Sequence, residues 1–246
     1  MLVAVQRLGA TVDHQQRDTL VVQGVGGRWR ATETDQRDIA LHLGNAGTAT
    51  RFLVAASCFS PKPLVIDGTP RMRERPLGEL TEVLPQLGVT VEYLGRVGYP
   101  PVRLHPTLSG PPEEAFVQLG KTASSQFITA LLLCGPWLPG GITVELSDTI
   151  TSRSYIEMTV GLLDRLGASV RLAEDLRVVR VGPAEHRADR GHIGLDAFDY
   201  IVEPDASGAT YFWAAAGLVS GGRCRVQGVG RDSLQGDADF PDVLAR

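Results

Sequence analysis

The stretch Leu87-Gly88-Val89-Thr90-Val91 decides how this sequence folds, because it recurs twice more at a fixed distance. Leu8-Gly9-Ala10-Thr11-Val12 precedes it by 79 residues, and Leu166-Gly167-Ala168-Ser169-Val170 follows it by 79 residues. A leucine-glycine pair followed by small and β-branched residues is typical of a helix that stops at the glycine and is followed by a strand. The regular period predicts a domain with internal repeats.

The residues before two of these copies have the spacing of an amphipathic helix. In Leu77–Gln86 and Ile156–Arg165, apolar side chains recur at intervals of three and four residues, which places them on one helical face. Each repeat is therefore predicted to contain a helix, a glycine stop and a strand. The next copy would fall near residue 245, so the sequence ends within the helix that precedes that copy. The sequence also begins within the corresponding helix of an earlier repeat. We therefore expect a chain that is truncated at both ends.

A second apolar segment, opened by small and hydroxyl residues, recurs between these copies. It begins at Gly47, Ala123 and Ala206. Ser and Thr at such positions accept hydrogen bonds from the free N–H groups of a first helical turn, which predicts three further helix starts. Two helices and several strands in each period are too many for a solenoid repeat. We therefore predict an α/β domain of three similar units around a common centre.

Composition and charge exclude several classes of protein. The 246 residues include 43% hydrophobic and 21% charged side chains, with a formal net charge of −4. These values are typical of a globular chain and unlike a general nucleic-acid-binding protein. The sequence has no apolar run long enough to span a membrane and no signal peptide, so a cytoplasmic protein is expected. Cys58, Cys134 and Cys224 form no CxxC pair and lie among apolar residues, which predicts buried thiols.

Loops at the predicted helix starts carry groups that bind anions. Asp67–Pro76 contains three alternating arginines, and its final proline suits the first position of a helix. Arginines there oppose the helix dipole, so the loop is either an anion site or a basic turn paired with Glu74 and Glu79. One period later, Asp148–Tyr155 has hydroxyls in place of guanidinium groups. Hydroxyls also bind phosphate, although ordinary helix caps look the same.

Motifs of common nucleotide and hydrolase sites are missing from the sequence. Gly120-Lys121-Thr122 lacks the upstream glycine of a P-loop, and Val22–Gly27 does not match the dinucleotide fingerprint. The five histidines lie far apart, and they form no Ser-His-Asp set or acid/base pair with other residues. The residues alone therefore indicate a protein that binds a small polyanion, or a part of an enzyme.

Six segments resemble the signature motifs of the 5-enolpyruvylshikimate-3-phosphate synthase family, in that family's order and spacing. They are Leu43–Arg51, Pro70–Pro76, Ser124–Phe127, Ser152–Ile156, Asp205–Ser207 and Gly230–Asp237. The sister family, UDP-N-acetylglucosamine enolpyruvyl transferase, is similar in fold but matches these motifs poorly. Thr50 and Phe52 depart from the usual first motif, in which proline is common at the position of Phe52. Pro204 and Gly208 are milder departures.

The resemblance implies an α/β (α+β) enolpyruvyl transferase fold with two domains. Each domain is an inside-out α/β barrel built from three βαβαββ units. Residues 1–201 would form most of one domain, and residues 202–246 would begin the second, whose remainder is absent. The family transfers the enolpyruvyl group of phosphoenolpyruvate to the 5-hydroxyl of shikimate 3-phosphate and releases phosphate. This transferase step belongs to the shikimate pathway, which leads to chorismate and the aromatic amino acids.

The same resemblance assigns substrate roles to individual residues. Shikimate 3-phosphate would be bound by Ser124, Ser125, Gln126, Ser152 and Tyr155. Phosphoenolpyruvate would be bound by Gly47, Arg75 and Gln126, with Asn45, Thr48 and Arg51 supporting the helix start. Among the loop arginines, Arg75 takes this role instead of Arg71 or Arg73 because it directly precedes the proline.

The family's catalytic acidic residues would follow Arg246, so no catalytic residue is assigned within this chain. The 246 residues alone are therefore expected to have no turnover, and a non-catalytic module that binds a phosphate ligand is the alternative. The implied enzyme needs no metal or organic cofactor. Its partners would be the two small-molecule substrates, without nucleic acid or membrane, and it would be a monomer at full length.

Overall fold

Helices and strands follow one another along the chain in a repeating order. The computed structural model describes residues 1–27, 29–30, 37–120, 124–147, 152–175, 177–184, 195 and 197–245. In chain order the elements are α1 (Leu2–Arg7), β1 (Thr11–Gln16), β2 (Thr19–Gln23), β3 (Ile39–His42), α2 (Gly47–Ala55), β4 (Leu64–Asp67), α3 (Gly78–Val83), β5 (Val89–Tyr93), β6 (Val102–Pro106), β7 (Ala115–Leu119), α4 (Ser125–Leu132), β8 (Ile142–Leu146), α5 (Arg153–Arg165), β9 (Val170–Leu172), β10 (Val178–Val181), α6 (Ala206–Leu218) and α7 (Phe240–Leu244).

Two stretches of the chain share the order βαβαββ and the same sheet topology. Residues 39–106 form the first unit, whose strands lie in the order β3-β4-β6-β5. Residues 115–181 form the second, with the order β7-β8-β10-β9. In each sheet the first two strands are parallel and the other neighbours are antiparallel. The predicted repeated unit is confirmed.

The first copy of the repeated stretch lies in a shorter set of elements. There α1 is followed by the antiparallel pair β1 and β2, which matches the last three elements of the unit. At the other end of the chain, residues 197–245 contain α6 and α7 and no strand. The proposed boundary after residue 201 stays a prediction.

The glycine of the repeated stretch ends each helix because it adopts a left-handed backbone conformation. The φ angles of Gly9, Gly88 and Gly167 are 100°, 75° and 82°. Residues with a Cβ rarely adopt such angles, so glycine is favoured directly after a helix. A strand begins within three residues in all three cases, as the sequence predicts.

The helix predicted over Leu77–Gln86 is shorter than expected. It is α-helical from Gly78 to Val83 and then tightens into a 3-10 turn over Leu84–Leu87. Pro85 has no N–H group to donate to the preceding turn, so the α-helical pattern cannot continue through it. The helix predicted over 156–165 is present in α5, which begins three residues earlier.

Hydroxyl residues cap only one of the three helices that they were predicted to cap. Ser124 accepts a hydrogen bond from the N–H of Gln126 at 3.2 Å, at the start of α4. The carboxylate of Asp205 caps α6 instead, where it accepts from the N–H of Gly208 at 3.1 Å. A carboxylate can reach the same N–H groups as a hydroxyl and also interacts favourably with the helix dipole. Helix α2 has Ala46 at its N-cap and no side-chain cap.

Alternating strand residues and the facing helices form the hydrophobic core. In β7 the side chains of Ala115, Val117 and Leu119 are buried while Phe116 and Gln118 are exposed, as expected of a strand with one buried face. No helix in the described ranges is long and apolar enough to cross a membrane.

Two of the three cysteines lie in this core, close to the ends of α2 and α4. Cys58 and Cys134 are buried, and a hydrogen bond to Cys134, together with burial, raises the pKa of Cys58 well above its usual value. Cys224 is exposed, so the prediction that it is buried is wrong. It follows α6 in a segment whose neighbouring residues are also exposed.

Candidate functional site

The loops after the four parallel strands, together with the first turns of the helices that follow them, contain every residue to which the motifs assign a role. Residues 45–51 follow β3, Arg75 follows β4, residues 124–126 follow β7, and residues 152–155 follow β8. In open sheets, ligands bind outside the carboxyl ends of parallel strands. The shared topology of the two units therefore places the assigned residues where such sheets bind ligands.

The guanidinium group of Arg75 lies directly against the backbone of Gly47. A Cβ atom at residue 47 would be 2.4 Å from Nη1 and 2.5 Å from both Cζ and Nη2 of Arg75. Nη1 also donates to the carbonyl oxygen of Asn45 at 3.3 Å. Glycine at this position is what allows the charged group to approach the start of α2 so closely.

Carboxylates neutralise two of the three arginines in the loop after β4. Arg71 forms an exposed ion pair with Glu74. Arg73 makes a bidentate contact with Asp67, with Nε 2.9 Å from Oδ1, and the arginine holds the pKa of Asp67 below its usual range. No carboxylate of the described residues forms an ion pair with Arg75. The loop is therefore a paired basic turn at Arg71 and Arg73, whereas the charge of Arg75 remains available to an anion.

The helix after this loop begins later than the sequence predicts. Leu77 is the N-cap of α3 and Gly78 its first residue, so Pro76 does not occupy the first helical position. Leu77 is fully buried and its N–H donates to the carbonyl oxygen of Gly98 at 2.8 Å. Arg75 has extended backbone angles and lies two residues before the helix N-cap.

Arg51 is a buried cation with an incomplete set of partners. Its side chain lies over the ring of Phe127, 5.2 Å from the centroid, and Nη2 donates to the carbonyl oxygen of Pro76 at 3.4 Å. Only 4% of the residue is exposed, and neither Nε nor Nη1 has a hydrogen-bond partner among the described residues. Burial and the neighbouring charge of Arg75 lower the pKa of Arg51. Two adjacent cations, one of them buried and unsatisfied, are unfavourable unless an anion binds beside them.

Gln126 connects the starts of α2 and α4. Its Nε2 donates to Oγ1 of Thr48 at 3.1 Å, while its Oε1 is buried and has no partner in the part of the chain that the structure describes. Its N–H is held by the cap of Ser124, and the neighbouring Ser125 is buried. Thr48 thus orients the Gln126 amide, and the motif residues of the first unit directly contact those of the second.

Ser152 and Tyr155 open α5 in the last of the four loops. Ser152 has φ 61° and ψ 56°, and no other non-glycine residue in the described ranges has a positive φ. Such a conformation costs about 1–2 kcal/mol, and strained residues of this kind are enriched at ligand-binding sites. Tyr155 is 44% exposed, and its hydroxyl lies 3.2 Å from Oγ of Ser207. The preceding residues 148–151, like Lys121 and Thr122 of the earlier loop, lie outside the described residues.

The segment from Glu203 to Asp237 contributes polar groups to which sequence reasoning gave no role. Ser207 and Asp237 line a small cavity beside Tyr155, and Gln235 joins this cavity to Glu203. Two of the six matching motifs contain most of these residues, and this match was their only signal in the sequence. In the described part of the chain, no group of three or more His, Cys, Asp or Glu residues is arranged to hold a metal ion.

Comparison with known proteins agrees with the arrangement of these loops. The model of the family described as EPSP synthase (3-phosphoshikimate 1-carboxyvinyltransferase) matches residues 1–246, which is the whole chain. The chain belongs to the EPSP synthase family. The resemblance seen in its six motifs is confirmed.

Two curated bacterial proteins illustrate the similarity of this EPSP synthase family member to its relatives. It is 41% identical over 246 residues to the 3-phosphoshikimate 1-carboxyvinyltransferase of Laribacter hongkongensis, and 39% identical over 248 residues to that of Pectobacterium carotovorum. Each match covers 100% of this chain and 54% of the relative. The chain therefore spans about half the length of the curated relatives it matches.

A solved EPSP synthase structure from Acinetobacter baumannii shares the fold of this family member. The TM-score is 0.67 at 22% sequence identity, and the match covers 88% of this chain and 44% of that one. The predicted α/β enolpyruvyl transferase fold is confirmed.

Proposed function

We propose that this chain supplies substrate-binding loops of a 3-phosphoshikimate 1-carboxyvinyltransferase. The observation that carries the proposal is the pair of adjacent cations, Arg51 and Arg75, that no carboxylate of the described residues neutralises. Such a pair favours a small ligand with more than one negative charge, and phosphoenolpyruvate has both a phosphate and a carboxylate.

Shikimate 3-phosphate is proposed to bind at the neighbouring helix starts. Ser124, Ser125 and Ser152 lie where α4 and α5 begin, so their hydroxyls and the free N–H groups of those helices can donate hydrogen bonds to a phosphate. Gln126 follows Ser124 and Ser125 in the chain and its amide contacts Thr48, the residue after Gly47, which suits a residue that contacts both substrates. Tyr155 is proposed to lie beside the ring of shikimate 3-phosphate.

In the proposed reaction, the 5-hydroxyl loses its proton and its oxygen forms a bond to C2 of phosphoenolpyruvate, while C3 gains a proton. The C–O bond to phosphate then breaks, C3 loses a proton, and phosphate leaves. Arg75 would stabilise the charge that phosphoenolpyruvate carries throughout these steps, because its guanidinium is already positioned against the backbone. The groups that transfer protons are proposed to lie elsewhere in the complete protein, in the part that corresponds to the remaining length of the relatives. Closure of two domains would then complete the site, so the 246 residues alone should have no turnover.

The complete gene product that contains this segment tests the proposal. With both substrates present it should release phosphate, while the 246-residue chain alone should release no more than a control without enzyme. Turnover by the chain alone would show that the segment already holds the proton-transfer groups. A complete protein that binds shikimate 3-phosphate but never releases phosphate would instead indicate the non-catalytic binding module.

We further propose that the complete protein is a cytoplasmic monomer that acts on small molecules, with a domain boundary after residue 201. Sedimentation equilibrium at several protein concentrations tests the oligomeric state. A mass twice that of the chain at every concentration would contradict it.

A further inference from the structure

A relay of three polar side chains runs from Tyr155 to Asp237 through Ser207. The hydroxyl oxygens of Tyr155 and Ser207 are 3.2 Å apart, and Oγ of Ser207 also donates to Oδ2 of Asp237. All three side chains line a cavity of about 80 Å³ at the start of α5. The relay therefore links α5, which carries the predicted ligand-binding residue Tyr155, to the start of α6 and to the 3-10 turn that contains Asp237.

The chemistry of the three groups fixes the direction of both hydrogen bonds. An ionised carboxylate can only accept, so Ser207 must donate its single hydroxyl hydrogen to Asp237. Ser207 then has only lone pairs to offer Tyr155, so the hydroxyl of Tyr155 is the donor between them. With its hydrogen committed, the Tyr155 oxygen can only accept a hydrogen bond from a ligand in the cavity.

Neighbouring hydrogen bonds hold the two anchors of the relay together. Oε1 of Gln235 accepts from the N–H of Ala206 at 2.9 Å, and its Nε2 donates to Glu203 at 3.0 Å and to the carbonyl oxygen of Pro204 at 2.8 Å. Ser233 also donates to Glu203, and these donors hold the pKa of that carboxyl below its usual range. The start of α6 and the loop before α7 are therefore tied together, so Ser207 and Asp237 keep their separation.

We propose that Ser207 and Asp237 are positioning residues that fix Tyr155 as a hydrogen-bond acceptor toward the ring of shikimate 3-phosphate. This role rests on the proposed function. A ring hydroxyl at that point donates to Tyr155 and is bound. A keto oxygen at the same point would face the Tyr155 oxygen as a second acceptor, and no hydrogen bond could form between them. Because both polar groups would be left unpaired, such an analogue should bind more weakly. The relay selects the ligand by the direction of a hydrogen bond and not by size or charge.

Asp237→Asn tests the proposal because it keeps the shape of the side chain but adds a donor. The amide can donate to Ser207, Ser207 can then donate to Tyr155, and Tyr155 can donate to the ligand. The probes are shikimate 3-phosphate and two analogues in which the C4 or the C5 hydroxyl is replaced by a keto oxygen. In the complete wild-type protein, the analogue whose keto oxygen faces Tyr155 should bind about tenfold more weakly than the substrate, as a lost hydrogen bond predicts. In D237N this preference should fall by about tenfold, while the KM for phosphoenolpyruvate stays within about twofold.

Two further variants keep the test decisive. Asp239→Asn removes an exposed carboxylate from the same 3-10 turn, Gly236–Asp239, and should keep the wild-type preference. Ser207→Ala breaks the relay without a donor of its own and should abolish the preference, even if D237N does not fold. If D237N and S207A are both active and keep the wild-type preference for shikimate 3-phosphate over the keto analogue, the relay proposal is wrong, while the proposed function still stands. A wild-type complete protein without turnover would overturn the proposed function as well.

Discussion

Gly47→Ala tests the contact on which the proposed phosphoenolpyruvate site depends. The new methyl group would lie 2.4 Å from Nη1 of Arg75, whereas ordinary contacts begin at about 3.4 Å. The guanidinium must therefore retreat by about 1 Å, and a displacement of that size can cost about a hundredfold in rate. The charge-assisted contact that Arg75 would make is worth about 1.5–3 kcal/mol, or about tenfold to a hundredfold in affinity.

The same substitution should not unfold the protein, because the atoms that must move are the end of a flexible side chain. Gly47 is the first residue of α2 and has no left-handed backbone angle, so alanine there should add up to about 1 kcal/mol to the free energy of unfolding. We expect a KM for phosphoenolpyruvate about 10–100 times higher, with an unchanged or raised melting temperature. Steady-state kinetics of the complete gene product and thermal unfolding measure the two effects.

Gly78→Ala is the matched control. Gly78 is the first residue of α3, and an added Cβ there would have its nearest neighbour 3.7 Å away, in ordinary contact. It should give a similar stability change and normal kinetics. If G47A keeps its KM for phosphoenolpyruvate, or raises that for shikimate 3-phosphate equally, then the close approach of Arg75 does not serve phosphoenolpyruvate.

Three further substitutions test neighbouring features. Arg51→Met removes two buried unsatisfied donors, so chemical denaturation should show a free energy of unfolding about 1–2 kcal/mol higher. The same substitution should weaken phosphoenolpyruvate binding. A clear loss of stability would contradict this reasoning. Ser152→Gly relieves the left-handed strain and should stabilise the protein by about 1 kcal/mol, but a calorimetric titration should show weaker binding of shikimate 3-phosphate; equal binding would exclude a role for the hydroxyl. Because Arg73 lowers the pKa of Asp67, the stability that this pair adds is present above the usual aspartate pKa and is lost as the pH falls through the lowered one. Denaturation of Asp67→Asn should therefore show a stability deficit at pH 7 that shrinks toward about pH 3, and a deficit independent of pH would refute the assignment.

The sequence predicts most clearly those features that depend on neighbours along the chain. A left-handed glycine after a helix is such a feature, which is why Gly9, Gly88 and Gly167 reveal the repeated unit. The tightening of the helix at Pro85 is also local, because one missing N–H group determines it. The fold class follows from repeating these local patterns at a fixed period.

Pairings between distant segments could not be predicted in the same way. The three arginines of one loop look alike in the sequence. Only the folded chain shows that Arg73 forms an ion pair with Asp67 and that the guanidinium of Arg75 lies against Gly47. The contact between Tyr155 and Ser207 joins residues 52 positions apart. Its existence depends on where α6 lies against α5, which no local pattern specifies.

The burial of two thiols and the exposure of a third have a practical consequence. Thiol reagents attack the thiolate, so Cys224 should be modified at once, while Cys58 is protected by both its burial and its raised pKa. The two buried thiols lie where α2 and α4 end, and the same helices begin at the predicted substrate-binding residues. Their modification would require these helices to separate. The rate at which the second and third thiols react therefore measures how often the helix pair opens, without any engineered label.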